Sequence, residues 1–136
     1  MYVLDTNILS ELRRARPHGA VKAWFATVPS RSIYIPAIVA GEIQIGIERT
    51  AVTNPEKAEE ISRWLGQILL SSQCISAGAE IFRIWARLVH RAGPELLVDA
   101  LVAATAIDRD MIVVTRNVKD FDSFGVRVFN PFNYDL

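Results

Sequence analysis

Three carboxylates, Asp5, Glu42 and Asp99, each end or interrupt an apolar segment of this 136-residue chain. Asp5 follows Tyr2-Val3-Leu4, which reads as a short buried strand. The plain alternative for Asp5 is a helix N-cap or Asx-turn, where aspartate is also favoured. Glu42 shares a helical face with Ile38, Val39, Ile45 and Gly46, at offsets of three and four. A carboxylate inside an apolar stripe is costly unless it is paired or binds a metal. Its alternative is a half-exposed edge position. Asp99 divides Leu96-Leu97-Val98 from Ala100-Leu101-Val102, and its face continues with Ala103 and Ala106. Only a helix starting late, at Asp99 itself, would reduce it to a cap. Two further candidates, Asn117 and Asp120, follow the apolar run Met111–Thr115 in a loop, where both are also common turn residues.

Taken together these positions form a pattern. Like charges gathered in one pocket repel, and without a cation at least one carboxyl pKa must rise. A hard cation with oxygen ligands and retained waters resolves that conflict, which suits Mg²⁺, with Mn²⁺ as the other option. Such an ion acidifies its water and neutralises charge on a phosphodiester. The residues thus read as a site for metal-assisted phosphodiester hydrolysis. Asp5, Glu42, Asp99, Asn117 and Asp120 are its candidate residues, each with the plainer structural role as the alternative.

The elements needed to position them follow from the pattern of apolar residues. Strands are expected at residues 2–4, 32–35, 73–76, 111–115 and 127–129. Helices are expected from Thr6 or Asn7 as cap, over 21–28, from Pro36 to about Thr50, over 56–70, 78–91 and 95–109. Strands alternating with helices imply an α/β fold with a mostly parallel sheet of about five strands and helices on both faces. The strands lack strict alternation, as expected when both faces are buried. In such sheets ligands bind outside the carboxyl ends of the strands, where Asp5 and Thr115 fall. No linker, repeat or low-complexity tract divides residues 1–136, so one domain is expected.

Composition narrows the class. The chain is 51% hydrophobic and 22% charged, which argues against disorder. Lys+Arg and Asp+Glu balance at 15 each, so no overall basic charge advertises a nucleic-acid binder. A local basic rim remains open: Arg13, Arg14, Arg16 and Lys22 cluster after the first motif, and Arg116 and Lys119 flank the last. Arg83, Arg87 and Arg91 recur four residues apart and read as a solvated helix stripe. The single Cys74 excludes an internal disulfide and reads as a buried strand residue. His18 and His90 stand far apart, which disfavours a zinc site. The four residues before Asp5 leave no room for a leader, and no apolar run is long enough to span a membrane, so a cytoplasmic location is expected.

At this point the sequence resembles the PIN-domain ribonucleases, and most of all the toxin of VapBC-type toxin–antitoxin pairs. LDTNILSEL resembles the family's opening motif and carries Asp5. IPAIVAGEIQIGI resembles the second and carries Glu42; VDALVAATA resembles the third and carries Asp99. VVTRNVKDF followed by GVRVFNPF resembles the closing segment. The resemblance implies a three-layer PIN-like fold and RNA cleavage with Mg²⁺ or Mn²⁺, leaving a 5′-phosphate and a 3′-hydroxyl. It also implies a homodimer neutralised by a small antitoxin, with promoter DNA bound only through that antitoxin. One departure stands out. Many members carry an acidic residue where Asn117 stands, so Asn117 would orient a water and Asp120 would supply the charge. Thr6 and Thr115 would hydrogen-bond within the site. Phe25, Trp64 and Trp85 offer themselves as dimer anchors, although each also reads as core. Two rivals remain. One is a PIN-like protein that binds RNA or an antitoxin without catalysis. The other is a phosphohydrolase with Asp5 as nucleophile, which Asn7 disfavours because such enzymes need an aspartate there.

Overall fold

The structure is a computed structural model and describes residues 1–135. Its strands are β1 (Tyr2–Leu4), β2 (Ile33–Pro36), β3 (Gln73–Ile75), β4 (Ile112–Val114) and β5 (Val128–Phe129). Its α-helices are α1 (Thr6–Arg13), α2 (Gly19–Thr27), α3 (Ala37–Thr53), α4 (Pro55–Ser71), α5 (Ala79–Ala92) and α6 (Leu97–Arg109). Short 3₁₀ turns cover Ser30–Ser32, Pro94–Leu96, Val118–Phe124 and Pro131–Asn133.

The five strands lie in the order β3-β2-β1-β4-β5, and every pairing is parallel. The expected mostly parallel sheet is therefore wholly parallel. β1 is central. The chain leaves it for β2 on one side and later returns to β4 on the other. The carboxyl ends of β1 and β4 thus flank the point where strand order reverses, the usual crevice for a ligand in such sheets. Successive residues of a strand point to opposite faces. Val3 and Leu4 are both buried, as are Val113 and Val114, so both faces of the central strands are covered.

Helix α6 carries Ala100, Ala103, Ala104 and Ala106, all essentially inaccessible. Their small side chains let α6 lie close against β1 and β4. The helix ends at Asp110, held in the left-handed region at φ 53° and tied by its carboxylate to Arg127 at 3.0 Å. Phe121 and Phe124 plug the core beneath the turn that follows β4, with their rings edge to face. The Trp85 indole N–H donates to the Leu97 carbonyl at 2.9 Å, pinning α5 to the start of α6.

Four local expectations are corrected. Cys74 is exposed, not buried, because β3 is an edge strand whose buried residue is Ile75. Phe25 is exposed as well; Trp24, one residue earlier, turns into the core and packs on Tyr2 and Phe129. On α3 the buried stripe is Val39, Ile43 and Ile47, while Ile45 is 52% exposed. Glu42 therefore sits at the edge of that stripe, half-buried, rather than within it. The cap of α1 is Asp5 itself, not Thr6 or Asn7.

Candidate active site

Asp5 is the first residue beyond β1. Its N–H donates to the Val114 carbonyl at 2.9 Å, which extends the β1–β4 ladder by one bond. Its side chain then performs two tasks. Oδ1 accepts the Thr6 N–H at 2.9 Å, the N-cap bond that starts α1. Oδ2 accepts the Thr115 hydroxyl at 2.8 Å and the Asn7 amide at 3.1 Å. The capping and functional readings of Asp5 are thus compatible. At 3% exposure, burial pushes its carboxyl above the ordinary range. The three hydrogen bonds oppose that rise, and the negative charge of Asp120 adds to it.

Thr6 joins the first two carboxylates, since its hydroxyl donates to Glu42 while its N–H serves Asp5. Asp99 lies in the first turn of α6, two residues inside the helix, so it is no cap. Its carboxyl is pushed up to about 6, first by burial and then by the charges of Asp5, Asp120 and Glu42. Asp120 lies in the 3₁₀ turn after β4, half-buried, where it faces both Asp5 and Asp99 electrostatically. The charges of Asp5, Asp120 and Glu42 thus act on Asp99, and that of Asp120 acts on Asp5. No lysine or arginine forms an ion pair with any of them among the described residues.

Asn117 is placed differently. Its backbone N–H donates to the Thr115 hydroxyl at 3.0 Å, and the residue is exposed. It shapes the turn through its main chain and makes no side-chain hydrogen bond to the acidic set. The sequence reading overlooked Asn7. Its amide donates to Asp5 Oδ2, and its Oδ1 accepts the Arg116 N–H at 3.1 Å, so it ties the end of β1 to the end of β4. Its position two residues after Asp5 was the available signal. Glu11 was overlooked too. It is a buried carboxylate that accepts the His18 N–H at 3.0 Å and pairs with the exposed Arg14 at 3.3 Å, pinning the turn between α1 and α2.

The donor set is all oxygen and carries excess negative charge, which fits a hard divalent cation. As the side chains stand, no three Asp, Glu, His or Cys groups among the described residues are drawn together tightly enough to hold one. A cavity of about 250 Å³ opens beside Glu42 and Thr6, bordered by Ser10, Arg13, Thr50 and Trp64. Larger recesses lie elsewhere, such as one of about 620 Å³ between α5 and Ile107, but they contain no acidic cluster.

With this geometry in view, the comparison with known proteins is decisive about kinship. Residues 2–126 match the family described as PIN domain. The chain belongs to the PIN domain family. All four carboxylates lie within the matched span. The chain is 30% identical to the VapC ribonuclease Y4jK of Sinorhizobium fredii, over 97% of this chain and 98% of that protein. It is 29% identical to the toxin FitB of Neisseria gonorrhoeae, over 98% and 99% respectively. The crystal structure of FitAcB from Neisseria gonorrhoeae superposes with a TM-score of 0.87 at 28% identity, covering 98% of this chain and 99% of that one. The resemblance to PIN-domain proteins and the α/β architecture expected from the sequence both hold.

Proposed function

We propose that this PIN domain is a metal-dependent endoribonuclease, the toxin of a type II toxin–antitoxin pair. The observation that carries the reading is Asp5 closing β1 at the switch point of the sheet, with its charge and those of Asp120 and Glu42 acting on Asp99 and no cationic side chain among the described residues paired with any of them. Full-length similarity to proteins named VapC ribonuclease and toxin FitB supports it.

In this reading Asp5, Glu42 and Asp99 hold Mg²⁺ or Mn²⁺. The ion supplies charge neutralisation at the phosphate and lowers the pKa of the attacking water. The protein's own residues do the rest. Thr6 and Thr115 fix the orientations of Glu42 and Asp5 through hydroxyl hydrogen bonds, as groups behind metal ligands do. Asn7 holds the two strand ends together. Asp120 contributes the fourth negative charge, and Asn117 at the rim orients water. Water adds to phosphorus, the bond from phosphorus to the 3′ oxygen breaks, and that oxygen leaves with a proton. The products are a 5′-phosphate and a 3′-hydroxyl.

The partners follow from the same reading. Solved relatives include FitAB bound to a DNA fragment and VapBC2 of Rickettsia felis bound to a promoter fragment. By analogy this chain pairs with a small cognate antitoxin and reaches promoter DNA only through it; a homodimer is part of the same proposal. No helix among the described residues is long and apolar enough to cross a membrane, in keeping with a cytoplasmic role. The spread of the carboxylates favours one rival, a domain that binds RNA or an antitoxin without cutting.

The test is RNA cleavage by purified protein freed of any partner, with EDTA, Mg²⁺ or Mn²⁺, beside Asp5→Asn and Glu42→Gln. Cleavage that needs metal, Asp5 and Glu42 supports the reading. Cleavage that persists in Asp5→Asn refutes the site. Binding of RNA without cleavage under every metal condition favours the binding-only rival.

A further inference from the structure

We propose that Arg116, whose guanidinium sits over the Phe132 ring beside His18, is a positioning residue for the RNA strand. Its guanidinium edge would take the backbone phosphate next to the scissile one, and its outer face would stack the adjoining base. The inference rests on the ribonuclease reading above and adds a substrate-binding subsite to it.

Three separate parts of the chain build this stack. Arg116 follows β4, with its guanidinium carbon 4.5 Å from the Phe132 ring centroid. Phe132 follows β5 in the 3₁₀ turn Pro131–Asn133, where its N–H donates to Asn130 Oδ1 at 3.0 Å. His18 caps α2, with its ring centroid 4.9 Å from that of Phe132. The His18 backbone is in turn anchored by the buried Glu11 carboxylate. The stack is thus held from all three sides without recourse to a core position, since Arg116 and His18 are exposed and Phe132 is half-buried.

Two features connect the stack to the acidic site. Arg116 directly follows Thr115, whose hydroxyl bonds Asp5, and the Arg116 N–H bonds Asn7, whose amide bonds the same Asp5 oxygen. The main chain at residue 116 is therefore tied to Asp5 through short, directional bonds. The Arg116 side chain also has no carboxylate partner among the described residues. A guanidinium held on an aromatic face keeps its in-plane N–H groups free for an anion, and its planar outer surface suits a base. Single-stranded RNA is recognised by this combination of stacking on aromatic or guanidinium planes and contact to phosphate.

The experiment measures kcat, KM and the salt dependence of KM on single-stranded RNA for the parent, Arg116→Ala, Arg116→Lys and Phe132→Leu. The main-chain bond from residue 116 to Asn7 survives in both Arg116 variants. Arg116→Ala is expected to raise KM roughly tenfold with kcat within about twofold of the parent, the signature of lost binding rather than lost chemistry. Its slope of log KM against log salt should fall by about 0.7, the loss of one single-strand phosphate contact. Arg116→Lys should recover the salt slope but not the full affinity, because an ammonium cannot replace the stacked plane. Phe132→Leu, which keeps an apolar side chain under the arginine, should move KM in the same direction by less. If the parent cleaves and Arg116→Ala matches it in KM and salt slope, the inference alone is overturned. A full rescue of KM by lysine overturns the stacking role. A parent that cleaves no RNA overturns the ribonuclease reading and the inference with it.

Discussion

Replacing Asp99 by asparagine should stabilise the metal-free protein at alkaline pH and leave it unchanged in acid. Asp99 titrates at about 6 in the folded chain against an ordinary 3.8, through burial and the charges of Asp5, Asp120 and Glu42. Between those two values the folded state holds a proton that the unfolded state has released. Stability therefore falls as pH rises through that window, and the penalty is complete above the folded pKa. A displacement of about two units would amount to ~3 kcal/mol in the absence of screening. Asp99 is only half-buried, and solvent reduces this to about 1 kcal/mol. Asparagine has similar size and no charge, so Asp99→Asn recovers that amount. In a chain of this length the gain corresponds to a rise in Tm of roughly 3–5 °C. Thermal melts of EDTA-treated parent and variant near pH 8 and near pH 4 measure it. The gain should be present at the higher pH and vanish at the lower. An equal difference at both, or a less stable variant near pH 8, would refute the idea that burial and the neighbouring charges raise the Asp99 pKa. Added Mg²⁺ should raise the Tm of the parent more than that of the variant, since a ligand stabilises only the state that binds it.

Two other perturbations probe the surroundings. Thr115→Val keeps the shape of a fully buried side chain but removes the hydroxyl that donates to Asp5 at 2.8 Å. Loss of a hydrogen bond to a charged group should lower stability by about 2 kcal/mol and push the Asp5 carboxyl further up. A urea midpoint equal to the parent's at neutral pH would contradict this. Cys74 is exposed on the edge strand, with its thiol pushed up by partial burial. It should react slowly but completely with Ellman's reagent in native buffer near pH 8. A thiol that reacts only after denaturant is added would restore the buried reading.

Much of the fold was legible because local patterns suffice for it. Short β-branched runs, separated by helical stripes with proline or asparagine at their starts, define a parallel α/β order without tertiary information. Asp5 was legible as a site candidate since a polar residue closing a buried strand falls on the ligand-binding edge. Glu42 was legible for a partly mistaken reason. Its stripe is narrower than the sequence suggested, and the side chain earns its place at the edge through the Thr6 hydroxyl. Cys74 and Phe25 were misplaced because periodicity says which residues share a face, not whether another element covers it. β3 proved to be an edge strand, and Trp24 took the core position on α2.

The residue types and their order along the chain thus determined the α/β architecture, the family resemblance and the identity of the acidic candidates. Only the tertiary structure decided which of them act on one another. Asp120 acts by its charge on Asp5 and Asp99, while Asn117 bonds Thr115 through its backbone, a distinction that depends on how one turn after β4 is wound. The bond from Arg116 to Asn7 and the contact of Arg116 with Phe132 were likewise not visible beforehand. They join segments at the ends of β1, β4 and β5, which lie far apart in sequence. Hydrogen bonds, ring contacts and charge coupling fall off over a few ångströms, so they exist only once the parallel sheet has brought those ends to one edge.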